Sequence, residues 1–110
     1  MAEVARVYPL KRQQPEPLWR EVLGARLRAL RAERTETLAE TAERAGVSPQ
    51  YLSEVERGRK EPSSEMIAAV AGSLGTTLTV LTKQVAGDLR RQRAARASRA
   101  SGPVMLSLAA

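Results

Sequence analysis

The sequence predicts an all-α fold: a compact five-helix domain with flexible N- and C-terminal extensions. Three observations point to it. Between Leu18 and Val85, apolar residues recur at spacings of three and four, the period of helices that each bury one face. Ser or Thr stands at several expected helix starts, and Gly at several expected ends. The prolines at 9, 15, 17, 49, 62 and 103 fall in an arm, at a first helical position or in turns.

Residues 1–17 carry three of those prolines and no sustained helical period, so they are expected to form a mobile arm. Its Lys11 and Arg12 are either solvated or within reach of a phosphate. In the first helix, from Leu18, the residues Trp19, Leu23, Leu27 and Leu30 share one face. Arg20, Arg26, Arg28, Arg31 and Arg34 lie on the other. Thr35 and Glu36 interrupt the pattern. Thr37 caps the second helix, and Glu40, three residues on, completes a capping box. Gly46 stops that helix in a left-handed conformation that glycine adopts without strain. Ser48 caps the third helix, and Pro49 suits its first position. Ala42, Ala45, Val47, Leu52 and Val55 converge to lock the second and third helices together. Two short helices so joined are a helix-turn-helix, whose second helix such domains place in the DNA major groove.

Gly58 and Pro62 bound a loop. Ser63 caps a fourth helix with Met66, Ile67, Val70, Ala71 and Leu74 on its buried face, and Gly75 ends it. Thr77 opens a fifth, striped by Leu78, Leu81 and Val85. The domain thus spans 18–85, and residues 86–110 form a basic helical extension and a flexible tail. In that extension Arg90, Arg91, Arg93, Arg96 and Arg99 fit a phosphate-following surface and a solvated helix equally well. Ser101, Gly102 and Pro103 are expected to end any helix. A domain of about 65 residues is marginal alone, so a homodimer through the fifth helix and its extension is expected.

Composition narrows the function. Over 110 residues the formal charge is +6, which favours a polyanionic partner. The absence of Cys and His excludes disulfides, thiol chemistry and the usual zinc sites, and removes the commonest general base. The carboxylates alternate with Arg on amphipathic helices, and there is no glycine-rich phosphate loop or nucleophile motif. An enzyme is therefore not expected, nor any cofactor. No stretch approaches the roughly 20 apolar residues of a membrane span, and no signal-peptide core is visible. A cytoplasmic protein with no membrane partner is the expectation. The preference for Arg over Lys, with abundant Ala, suggests a GC-rich bacterial genome.

The run from Leu23 to Arg31, then Ala45 to Ser48, Tyr51 to Arg59, Pro62-Ser63 and Ala71 to Gly75, resembles the Cro/repressor (XRE) family of bacterial helix-turn-helix regulators. The likeness covers about residues 22–83. Within that family the run from Tyr51 to Glu61, with Ser63 to Glu65, is most similar to the actinobacterial regulators of Clp protease genes. Two departures stand out: Thr41 replaces a larger aliphatic residue, and Glu36 replaces a Leu before the cap. Both are expected to thin the packing of the second helix on the first.

The resemblance implies double-stranded operator DNA as partner, with Pro49, Gln50, Ser53 and Glu54 toward base edges. Gln50 suits adenine and Glu54 suits the amine of cytosine. Arg57, Arg59 and Lys60 are assigned to phosphates, with Thr37 and Tyr51 adding neutral phosphate bonds. A pair between Glu54 and Arg57, three residues on, is the rival use of that acid. Glu56 is expected to serve structure by bonding backbone or Arg. The acidic edge of Glu36, Glu40 and Glu43 suits RNA polymerase or plain solvation. The C-terminal Leu108, Ala109 and Ala110 look like the tail signal that Clp-type proteases engage. An antitoxin that represses its own promoter, or a protein-binding adaptor on the same fold, are the alternatives.

Overall fold

The computed structural model describes the backbone of residues 18–109 and the side chains of residues 18–99. The arm at 1–17, the side chains of Leu108 and Ala109, and Ala110 lie outside the described residues. Five helices follow one another: α1 Trp19–Glu33, α2 Leu38–Ala45, α3 Pro49–Glu56, α4 Ser64–Ser73 and α5 Leu78–Ala109. The starts of α2 to α5 obey the capping chemistry expected. The hydroxyls of Thr37, Ser48, Ser63 and Thr77 accept from the N–H groups of Glu40, Tyr51, Met66 and Val80 at 3.0–3.2 Å. Glu40 returns a bond to the Thr37 N–H at 2.8 Å. Each removes an orphan donor from a helix start.

The first four helices also end alike. A left-handed residue stands at the helix cap of α2 and just after it in α1, α3 and α4, and backbone bonds fold the chain back over the last turn. Gly46, Gly58 and Gly75 hold that position with φ of 76°, 75° and 78°. At the end of α1 the same geometry falls to Thr35, with φ 51°. Its N–H reaches Ala32 O at 3.0 Å, and the next N–H reaches Arg31 O at 3.2 Å. A β-branched side chain in this region is strained.

Packing follows the apolar stripes. Helix α3 lies on α1 and α2, α4 on α2, and α5 closes against α1 and α4. Val22, Leu23, Leu27, Ala42, Leu52, Val55, Ile67, Val70, Ala71, Leu74, Leu81 and Val85 form one core, with Trp19 and Leu30 half-buried around it. Gly24 is where α1 and α3 touch most closely: a Cβ there would lie 2.3 Å from the Val55 carbonyl oxygen and 2.5 Å from that of Glu56.

One expectation is corrected. Helix α5 does not end at Ser101-Gly102-Pro103; its backbone runs on to Ala109. Proline removes one helical hydrogen bond and crowds the carbonyl four residues back, which a helix can accommodate by bending. The approach to the C-terminal residues is therefore helical rather than irregular. Thr41 and Glu36, the two departures expected to thin the packing of α2 on α1, are bonded to each other. Thr41 is fully buried, and its hydroxyl donates to Glu36 at 2.8 Å. The two departures from the family pattern are one hydrogen bond. Glu36 is held further by Arg34 at 3.2 Å and by Arg44, which also donates to Ser73 O at 3.0 Å at the end of α4. Among the described residues, no single helix is long and apolar enough to cross a membrane.

Candidate nucleic-acid interface

The outer face of α3 is built from its inner one. Leu52 and Val55 point into the core, so helical spacing turns Pro49, Gln50, Ser53 and Glu54 outward. Pro49 and Gln50 are exposed at the N-terminal end; Ser53 and Glu54 are half-covered one turn later. Tyr51 packs its ring partly against the core. Thr37, at the start of α2, is exposed. Its oxygen accepts the capping bond, which leaves its hydroxyl proton for a phosphate.

The helix is held rigidly. Glu56 receives two bonds from Arg31, both 2.8 Å, and its side chain is only 6% exposed. Arg31 also donates to Glu36 O at 3.0 Å, so one guanidinium joins α1, α3 and the α1–α2 turn. Removing one partner of such a pair would leave a buried charge uncompensated. Glu56 thus has the structural role expected. Arg20 donates to Gly58 O at 3.1 Å, which fixes the exit from α3.

These bonds change the electrostatic picture drawn from sequence. Arg20, Arg26 and Arg31 do not form a free basic face on α1. Arg26 makes a two-bond pair with Asp88 of α5, at 2.6 and 2.8 Å. That hydrogen bonding, with help from Arg91, holds the Asp88 carboxyl below its usual range despite partial burial. The free cations of the site lie elsewhere. Arg57 and Arg59 are exposed and, among the described residues, have no carboxylate partner. Glu54 is paired, but with Lys60 at 3.6 Å rather than with Arg57. The acidic edge of α2 is likewise reduced: Glu36 and Glu40 are bound within the domain, and Glu43 stays exposed.

The structure therefore brings Pro49, Gln50, Ser53, Glu54, Arg57, Arg59 and Lys60 onto α3 and its exit loop. Tyr51 sits in the first turn of α3, and Thr37 at the start of α2. The Glu54–Lys60 contact was missed because the spacing rule assumes a helix that continues past Gly58.

A protein-family model described as "Helix-turn-helix" matches residues 27–81. The transcriptional regulator ClgR of Mycobacterium tuberculosis is 45% identical over 89 residues, covering 77% of this chain and 80% of that protein. The crystal structure of the clp gene regulator ClgR from Corynebacterium glutamicum matches with a TM-score of 0.71 and 49% identity, over 81% of this chain and 99% of that one. The restriction-modification controller protein C.Esp1396I shares the fold, with a TM-score of 0.63 at 14% identity over 69% of this chain and 99% of that one.

Proposed function

The chain belongs to the Cro/repressor-type helix-turn-helix family of DNA-binding transcriptional regulators, and we propose that it binds an inverted repeat as a homodimer and controls Clp protease and other proteostasis genes. One observation carries the DNA reading. On α3 a polar outer face of Pro49, Gln50, Ser53 and Glu54 adjoins Arg57 and Arg59, cations with nothing inside the domain to bond. Base-edge groups beside phosphate-binding groups are what sequence-specific recognition needs. The choice of target genes rests on the likeness to ClgR, named a clp gene regulator in Corynebacterium glutamicum, which extends over about four fifths of this chain.

One α3 spans only a few base pairs, so two copies on half-sites about 34–36 Å apart give the required length. In this reading residues 18–85 are the DNA-binding body, and the fifth helix with its basic extension serves the dimer. Val80, 46% exposed on α5, is an apolar residue such a contact would cover. Any activating contact with RNA polymerase would use Glu43, since Glu36 and Glu40 are bonded within the domain. The C-terminal Leu108, Ala109 and Ala110 would make the regulator a substrate of the protease it controls. Replacing both terminal alanines with Asp should lengthen its half-life in cells, and an unchanged half-life removes that step.

The test is selection of genomic fragments by purified protein at about 150 mM salt, a level at which non-specific binding is weak. A short inverted repeat upstream of protease and chaperone genes supports the proposal. A repeat before its own gene only would replace it with an autorepressing antitoxin. No enrichment would defeat DNA reading and leave a protein-binding adaptor.

A further inference from the structure

We propose that the Glu54–Lys60 ion pair is a specificity gate: Lys60 stays on Glu54 over random DNA and passes to a phosphate only when Glu54 engages a base. The inference rests on the reading of the outer face of α3 as the base-contacting surface.

The gate is built by the end of α3. Gly58 is left-handed, its N–H bonds Val55 O at 3.0 Å, and the Arg59 N–H bonds Glu54 O at 2.9 Å. This reversal folds the chain back over the last turn and sets Lys60 beside Glu54, Nζ to Oε1 3.6 Å. The turn cannot drift. Arg20 holds the Gly58 carbonyl, and a Cβ on Gly58 would come within 2.9 Å of the Glu21 backbone. Lys60 is thus delivered to Glu54 by backbone geometry, not by a flexible search.

Glu54 needs such a partner. It lies one turn beyond Gln50 on the same face, and an uncompensated carboxylate there would repel the phosphates on every approach. Lys60 cancels that repulsion. The separation exceeds that of a tight charge-assisted hydrogen bond, and the side chains are 27% and 52% exposed. Exposed pairs of this kind are weak and exchangeable. A cytosine amine offers the carboxylate a directed bond inside the groove. Once Glu54 takes it, the Lys60 ammonium is free for the adjacent phosphate and displaces a counterion there. On a non-cognate sequence no amine meets Glu54, the pair persists, and that counterion is not released. Arg57 and Arg59, with no acid to hold them, contribute on any sequence. Lys60 therefore converts one correct base into one additional phosphate contact.

The experiment is the salt dependence of binding by the full chain to its selected repeat and to random duplex, for wild type, Lys60→Ala and Glu54→Gln. Each phosphate contact contributes about 0.9 to the log–log slope. Lys60→Ala should lower the slope on the repeat by about 0.9 per protomer; on random DNA it uncovers the Glu54 charge and weakens affinity, but removes no phosphate contact and so lowers that slope by much less. Glu54→Gln should steepen the random-DNA slope by about 0.9 per protomer, because Lys60 is then always free. An equal fall in slope on both DNAs with Lys60→Ala, or an unchanged random slope with Glu54→Gln, overturns the gate. Fresh selection with Glu54→Gln separates the two layers. Lost preference at one base pair per half-site sustains base reading whatever the slopes do; wild-type preference at every position removes both the Glu54 role and the gate.

Discussion

Replacing Gly24 with Ala sets two effects of opposite sign against each other. In an open helical position the change favours folding by about 0.5–1 kcal/mol, because glycine loses more backbone freedom. At Gly24 the new Cβ would lie 2.3 Å from Val55 O and 2.5 Å from Glu56 O. Ordinary carbon–oxygen approach is about 3.3 Å, so α3 must retreat by about 1 Å. Both obstructing atoms are backbone, and no rotamer change relieves them. Overpacking of this kind costs about 1–3 kcal/mol. The retreat also pulls on the Arg31–Glu56 pair, whose bonds are both 2.8 Å. The clash wins: Gly24→Ala should destabilise the domain by about 1–2 kcal/mol and lower its Tm by about 4–8 °C per kcal/mol. Gly72→Ala is the control, since a Cβ there meets nothing within 4 Å, and it should stabilise by about 0.5–1 kcal/mol. Thermal and denaturant unfolding of the two variants measure the contrast. A Gly24→Ala protein as stable as Gly72→Ala would refute the close approach of α1 and α3.

Three further outcomes are expected. Thr35→Gly removes a left-handed β-branched residue and should raise stability by about 1 kcal/mol in denaturant titration, partly offset by the freer unfolded chain; a loss would mean the Thr35 bond to Arg34 O at 2.6 Å outweighs the strain. Glu36, held first by Arg44 and then by Thr41, has its carboxyl lowered from 4.5 to about 2. A lowered folded value stabilises the fold above pH 4.5, and that stability drains away as pH falls toward 2. Glu36→Gln should flatten the pH–stability curve in that window, and identical acid slopes for both proteins would contradict it. Arg59→Ala should weaken repeat and random DNA alike and reduce both salt slopes by about 0.9 per protomer; loss confined to the repeat would make Arg59 a base reader.

Helix starts were legible because capping is local. Thr37 with Glu40, Ser48 with Pro49, and Ser63 each announce a start within four residues, and the structure bonds all of them. The core stripe of Leu23, Leu27, Leu52, Val55, Leu81 and Val85 follows from periodicity alone. What escaped depends on residues brought together from afar. Arg26 finds Asp88 62 positions away, and Arg44 reaches Ser73 across 29. Gly24 matters only because α3 crosses it. Thr41 and Glu36 look like two flaws when taken singly and become one bond when α2 is folded. Glu54 illustrates the limit within the site: spacing points to Arg57, whereas the reversal at Gly58 supplies Lys60.

The central claim is that the outer face of α3 reads bases, and parallel selection of DNA by wild type and Gln50→Ala tests it most directly. Gln50 is exposed at the second position of α3, so its truncation leaves the core untouched. The account predicts the same inverted repeat with preference relaxed at one base pair per half-site, and an affinity loss of about 1–3 kcal/mol on the original repeat only. An equal loss on random DNA, or an unchanged repeat at unchanged affinity, would contradict it.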